Sequence, residues 1–193
     1  IMLIEALAIK LEDGGPVFFK QPRVTQDGKI FNVLKFRTMI VDADKNNKRL
    51  ASQGDSRITK VGNVLRKLRI DELPQFINIL KGEMSGVGPR PEQAEITEKY
   101  VEVLPEFRYR LKVKAGLTGL AQILGKYNTT PKDKLILDLI YIEQYSIWVD
   151  LKIMLQTAKV LFKSDSTEGV IGELPIDLEK HRELLEERKA EQQ

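Results

Sequence analysis

Leu3, Leu7 and Leu11 recur at helical spacing and predict a short helix over residues 2–11, closed by Asp13-Gly14-Gly15-Pro16. The period then changes. Val17–Val24 and Ile30–Thr38 read as antiparallel strands joined at Gln26-Asp27-Gly28, and Pro22 places the first at an edge or an irregularity. Residues 41–50 are strongly polar and begin as a helix; 51–55 form a loop or lid candidate. Thr59–Leu68 predicts a basic amphipathic helix with Val61, Leu65 and Leu68 inward. A short apolar helix follows, with Asp71 at its N-cap, Leu73, Phe76, Ile77 and Leu80 on one face, and a stop near Gly82.

Residues 92–103 read as another helix, with Ile96, Tyr100 and Val103 on one side, interrupted by Pro105. A helix over 132–145 follows a loop at 125–131. From 150 to 162, Leu151, Met154, Leu155, Ala158 and Leu161 form one stripe, and Lys152, Gln156, Lys159 and Lys163 the opposite one. A core-facing surface helix and an interfacial membrane helix both produce this pattern; Trp148 just upstream suits the interface. The fold class is therefore α+β, mostly helical with one small antiparallel β-hairpin. No repeat or boundary interrupts residues 1–163, and 164–193 read as a polar helical C-terminal extension.

Composition narrows the chemistry. At 193 residues, 42% hydrophobic and 31% charged, the chain can bury a sizeable core. It has no cysteine, and His181 is its only histidine, in a polar tail. Disulfides, thiolate metal sites, cysteine nucleophiles, histidine bases and zinc clusters are thereby excluded. Carboxylates, Lys, Arg, hydroxyls or a bound hard metal must do the work. A net charge of +3 suits an anionic partner without choosing one. The phenylalanines lie in strand patterns rather than on a stacking platform, which argues against nucleic acid. No apolar run of 18 residues occurs.

The densest chemistry lies between Arg57 and Glu92. Five cations between Arg57 and Arg69 precede the adjacent carboxylates Asp71 and Glu72. A carboxylate at a helix N-cap, beside cations, is favoured in its ionised form. Arg90 stands between two prolines, so its guanidinium fork loses little backbone freedom on meeting a phosphate. Lys35 and Arg37 share a strand face and could hold a diphosphate or form a solvated basic face. Gly116 and Gly119 bracket Thr118 ahead of Gln122, and the segment lacks a P-loop pattern. Taken singly, each feature also reads as ordinary structure: a cap, a rigid loop, a turn.

Six motifs in order carry a resemblance: Gly15-Pro16-Val17-Phe18-Phe19, Lys35-Phe36-Arg37-Thr38-Met39, Asp71-Glu72-Leu73-Pro74-Gln75, Val87-Gly88-Pro89-Arg90-Pro91-Glu92, Gly116-Leu117-Thr118-Gly119-Leu120-Ala121-Gln122, and the segment from Tyr141-Ile142 to Asp150-Leu151-Lys152. Over residues 5–163 the chain resembles the bacterial sugar transferases that act as monotopic phosphoglycosyl transferases. Ala115 stands where that family usually has proline.

The resemblance implies a catalytic domain over 1–163 that moves a sugar 1-phosphate from a UDP-sugar to undecaprenyl phosphate, releases UMP and initiates surface glycan assembly. It implies Asp71 as the covalent nucleophile, Glu72 as a Mg2+ ligand, and Arg90 as stabiliser of phosphoryl charge. Lys35, Arg37, Arg69, Thr118, Gln122 and Asp138 become substrate or phosphate contacts. The implied partners are the UDP-sugar, the polyprenyl phosphate and the inner leaflet of the bacterial cytoplasmic membrane, with the domain on the cytoplasmic face. Homo-oligomer formation through terminal elements stays open. A chain beginning on Ile is expected to lack a membrane-inserted segment upstream. A non-catalytic basic membrane-surface module and a Mg2+-dependent nucleotide-sugar hydrolase are the alternatives.

Overall fold

The computed structural model describes residues 2–43, 55–125 and 130–162 of the chain. The lid candidate at 51–55 lies almost wholly outside them, as does the C-terminal extension at 164–193. Described residues fall into two compact units: residues 1–22 with 31–82, and residues 23–30 with 83 onward.

In the first unit, α1 (Met2–Asp13) leads to a hairpin of β1 (Phe18–Val24) and β2 (Ile30–Phe36), whose tip is counted with the second unit. Helix α2 (Lys60–Lys67) and α3 (Gln75–Leu80) follow, separated by a 3-10 turn at Ile70–Glu72. The core is Ile9, Phe36 and Leu65, with Met2, Ala6, Val17, Val61, Ile70 and Leu73 packed around it. Glu12 Oε1 accepts from the amides of Lys60 and Val61, so the end of α1 caps the start of α2. Thr59 supplies the N-cap hydroxyl, accepting from the Gly62 amide. Gly62 is required by contact: a Cβ there would lie 2.2 Å from the Thr38 carbonyl oxygen.

Helices α1 and α2 form within two residues of the predicted spans, but the buried side of a helix is not always its apolar one. Leu3, Leu7 and Leu11 of α1 are exposed, whereas Glu5 and Ile9 are buried. Both Glu5 carboxylate oxygens are buried with no hydrogen-bond partner, and burial pushes that carboxyl up. Leu68, expected inward, is exposed one residue beyond α2. On α3, Phe76 and Leu80 are exposed while Gln75 and Asn78 face in. The reason is backbone demand. Asn78 Oδ1 accepts from Leu34 N at 3.0 Å and Nδ2 donates to Asn32 O at 2.9 Å, satisfying groups along β2 that the two-stranded sheet leaves unpaired.

The second unit contains β3 (Ser85–Val87), α4 (Ala94–Val103), a 3-10 segment (Pro105–Lys112), β4 (Gly116–Thr118), α5 (Leu120–Leu124), α6 (Pro131–Gln144) and α7 (Ile147–Phe162). Its core is Val87, Leu120, Ile123, Ile140, Tyr141 and Ile153. A full capping box of Thr130 and Asp133, with Pro131 in the first turn, starts α6. Strands β3 and β4 pair in parallel, Ser85 with Gly116 and Val87 with Thr118. Glycine makes this approach possible: a Cβ on Gly116 would lie 2.1 Å from Gly88 N. Val103, at the end of α4, is exposed. Helix α7 reaches the core through Ile153, leaving Trp148, Leu151, Met154 and Leu155 exposed. No described helix is long and apolar enough to cross a membrane.

Candidate active site

The carboxylate pair sits at a backbone bend. Arg69 adopts the left-handed conformation, φ +58°, directly after α2, and its amide donates to Arg66 O. A non-glycine residue held there costs about 1–2 kcal/mol. The bend starts the 3-10 turn, so Asp71 is inside that turn rather than at the cap of α3; Pro74 occupies the cap position. This changes the electrostatics expected from sequence. Burial pushes the Asp71 carboxyl up, and the charge of Glu72 adds to the rise; Lys35 and Arg66 pull it back down.

Lys35 and Glu72 form a partly buried ion pair, Nζ to Oε1 at 2.7 Å. Arg66 Nε donates to Thr38 Oγ1 at 2.8 Å, which holds its charge in place. The first unit thus assembles Asp71, Glu72, Lys35 and Arg66. Arg37 is used differently. Its guanidinium meets both Asp13 carboxylate oxygens, and Nε donates to Pro16 O at 2.6 Å. That pairing holds the Asp13 carboxyl down at about 2 and ties the end of α1 to β2. Gly15 lies against the same guanidinium, where a Cβ would come within 2.8 Å of Nη2. Arg69 is exposed; the structure distinguishes it by its backbone.

In the second unit Arg90 stands exposed between the buried Pro89 and Pro91. Asp138 is 2% exposed and paired with the 4% exposed Arg110, whose Nε and Nη2 lie 2.9 and 2.8 Å from Asp138 Oδ2. Burial pushes the Asp138 carboxyl up to about 6 against the pull of Arg110. Arg110 also lies over the Phe107 ring, 4.7 Å from its centroid, and Nη2 donates to Arg90 O at 2.8 Å. Thr118 Oγ1 is 2.7 Å from Thr157 Oγ1, joining β4 to α7. Gln122 Nε2 donates to Leu117 O at 2.9 Å, while its Oε1 is buried with no partner. Behind the arginine loop lies a cavity of about 10 Å³, room for one water.

Sequence reasoning named neither Arg66 as a neighbour of Asp71 nor Arg110 as the support of Arg90. Arg66 is marked only by the run of five cations from Arg57 to Arg69, and Arg110 only by the cations Arg108, Lys112 and Lys114 around it. Among the described residues, no group of three or more His, Cys, Asp or Glu is gathered for a metal. The adjacent acids Asp71 and Glu72 are a hard-oxygen donor pair. That fits Mg2+ completing its shell with water and substrate phosphate.

Carboxylates countered by cations in one unit, and an arginine presented from a proline-bounded loop in the other, define an α+β protein whose polar groups suit anionic ligands. The chain belongs to the bacterial sugar transferase family, which it matches over residues 1–164. It is 42% identical over 164 residues to the UDP-N-acetylgalactosamine-undecaprenyl-phosphate N-acetylgalactosaminephosphotransferase of Aeromonas hydrophila, covering 83% of this chain and 39% of that protein. Two proteins named UDP-glucose:undecaprenyl-phosphate glucose-1-phosphate transferase are also similar. The Caulobacter vibrioides protein is 42% identical over 171 residues, 86% of this chain and 64% of its own. The Escherichia coli protein is 46% identical over 157 residues, 79% of this chain and 34% of its own. The chain therefore spans between about a third and two thirds of the length of these curated relatives.

Proposed function

We propose that this chain transfers a sugar 1-phosphate from a UDP-sugar to undecaprenyl phosphate. The observation that carries the reading is Asp71: a partly desolvated carboxylate beside Glu72, with Lys35 and Arg66 lowering the cost of its ionisation, in a chain whose relatives bear the names of such transferases. Desolvation makes the carboxylate more basic and a stronger nucleophile, and the two cations favour its ionised form.

In the first step an Asp71 oxygen attacks the sugar-linked phosphorus. The bond from that phosphorus to the bridging oxygen breaks, and UMP leaves with the electron pair. In the second step an oxygen of the lipid phosphate attacks the same phosphorus, and the bond to Asp71 breaks, restoring the carboxylate. The product is a polyprenyl diphospho-sugar. Bound Mg2+, with Glu72 and Asp71 as its protein ligands, would supply charge neutralisation to the diphosphate. Lys35 offsets the mutual repulsion of the two acids, and Arg90 binds phosphoryl oxygens from its own unit.

The exposed apolar faces of α1 (Leu3, Ile4, Leu7, Leu11) and of α7 (Trp148, Leu151, Leu155) favour contact with the leaflet that holds the lipid acceptor. Intact mass after incubation with Mg2+ and a panel of UDP-sugars, without lipid, tests the reading. A sugar-phosphate increment on the wild type and none on Asp71→Asn, with matching UMP release, is expected. Steady UMP release without any increment would replace transfer by hydrolysis.

A further inference from the structure

The Pro89–Glu92 loop cannot be held as a strand would be, because two of its four residues have no N–H. It is held through its carbonyls, four in succession, by donors from β4, the 3-10 segment and the end of β1. Pro89 O accepts from Gly116 N at 2.9 Å, and Glu92 O from Val24 N at 3.0 Å. Between them, Arg90 O accepts from Arg110 Nη2 at 2.8 Å and Pro91 O from Arg23 Nη1 at 3.0 Å. Backbone amides serve the two outer carbonyls, and guanidinium groups reach over to serve the two inner ones.

Both arginines are backed by carboxylates. Asp138 neutralises Arg110 in a site where both are almost fully buried, and Glu92 lies 3.9 Å from Arg23. Phe107 lies under Arg110 and is itself braced edge-on by Tyr100, ring centroids 5.0 Å apart. A buried ion pair contributes little net stability compared with apolar packing, so its presence invites a role in geometry. The side chain at the middle of the pinned segment, Arg90, is the exposed one.

We propose that Arg110 and Arg23 are positioning residues that fix the peptide of Arg90, and with it the direction in which the Arg90 guanidinium meets phosphate, Asp138 acting behind Arg110. The proposal rests on the reading of Arg90 as a phosphate ligand. It assigns Asp138 a place behind the loop rather than in contact with substrate. A lysine at 110 keeps the charge opposite Asp138 but has no planar fork to span Asp138 and the Arg90 carbonyl together.

A double-mutant cycle tests this. Arg110→Lys is expected to lower kcat for UMP release about ten-fold or more while KM for the UDP-sugar stays within about three-fold, as for a misaligned transition-state contact. In an Arg90→Lys background the same substitution is expected to cost almost nothing further, because its route to the chemistry is already gone. Additive losses, or an Arg110→Lys enzyme with unchanged kcat, would overturn the proposal. Arg23→Gln, at the more exposed arginine, repeats the cycle if Arg110→Lys does not fold.

Hydrogen exchange of the Gly116 and Val24 amides, which donate to the outer carbonyls of the loop, needs no substrate and separates the two possible failures. Faster exchange in Arg110→Lys, with no activity in any form including the wild type, sinks the transferase reading and leaves the positioning in place. Unchanged exchange sinks the positioning whatever the activity.

Discussion

Lys35 Nζ lies 2.7 Å from Glu72 Oε1, so a strand residue supplies the ammonium that offsets the repulsion of Asp71 by its own neighbour. Lys35 lowers the Asp71 carboxyl, and Glu72 raises it. Removing the ammonium leaves the rise unopposed on that side. An attacking carboxylate must be ionised, so the acid limb of kcat/KM for UMP release is expected at higher pH in Lys35→Met than in the wild type. Lys35→Arg should hold the limb near its original position. Below the limb the rate falls about ten-fold per pH unit, as for one essential ionisation. A limb that stays put in Lys35→Met would mean that Lys35 does not tune the nucleophile.

Asp71→Asn should remove the sugar-phosphate adduct and leave the protein as stable as the wild type at neutral pH, or more so. The sign follows from burial. The folded-state carboxyl titrates above its unfolded value, so its contribution to stability is full at low pH and is lost as pH rises through the folded value. Above the folded value the ionised group weakens the fold, and a neutral amide does not. Thermal midpoints at pH 5 and pH 7 measure this: the gap between variant and wild type should widen in the variant's favour at pH 7. A variant several degrees less stable at pH 7 would show that the carboxylate is a structural acceptor.

Arg37 and Asp13 make the opposite case. The Asp13 carboxyl is held at about 2, below its ordinary value, so the pair's contribution is present above pH 4 and is lost as pH falls toward 2. Asp13→Asn should lower the midpoint at pH 7 by roughly 3–6 °C, the size expected for about 1–2 kcal/mol in a chain of this length. Its deficit should shrink when both proteins are melted at pH 3. Arg37→Lys should lose stability similarly, since one ammonium cannot reach both carboxylate oxygens and the Pro16 carbonyl. If Arg37→Lys instead raises KM for the UDP-sugar about ten-fold with an unchanged midpoint, Arg37 touches substrate.

The helix spans were legible in outline, whereas the one cap read from the sequence, Asp71, falls inside a 3-10 turn with Pro74 at the cap of α3. The predicted spans Thr59–Leu68 and 132–145 match α2 and α6 to within one residue at each end. Which face turns inward was not legible, because neighbours distant in sequence decide it. On α3 the polar side wins because Asn78 completes the backbone of β2, 44 and 46 residues away in sequence. The β3–β4 pairing is three residues long on each side, too short for any period, and its signal is the close contact of Gly88 with Gly116. The site divides in the same way. Asp71-Glu72 and Pro-Arg-Pro can be read as motifs, whereas Lys35 beside Glu72 and Arg110 on the Arg90 carbonyl are long-range contacts with no local pattern.

Glu5 offers a test of how far the exposed apolar side of α1 governs that helix. Leu3, Ile4, Leu7 and Leu11 point outward, and the rotation that exposes them carries Glu5 into the protein, with both oxygens unpartnered. An isolated buried carboxylate is costly, so burial raises its titration above the ordinary value. Its stabilising share belongs to the protonated form and is lost as pH rises through the folded value. Glu5→Met fills similar volume without the charge and should raise the midpoint at pH 7 by about 2–4 °C, for a gain of roughly 1 kcal/mol. The gain should be smaller at pH 4, where the wild-type carboxyl is protonated. Melting both proteins at the two pH values decides it. A destabilised Glu5→Met would require a polar partner for Glu5, and the helix would then be oriented by that partner rather than by its outward leucines.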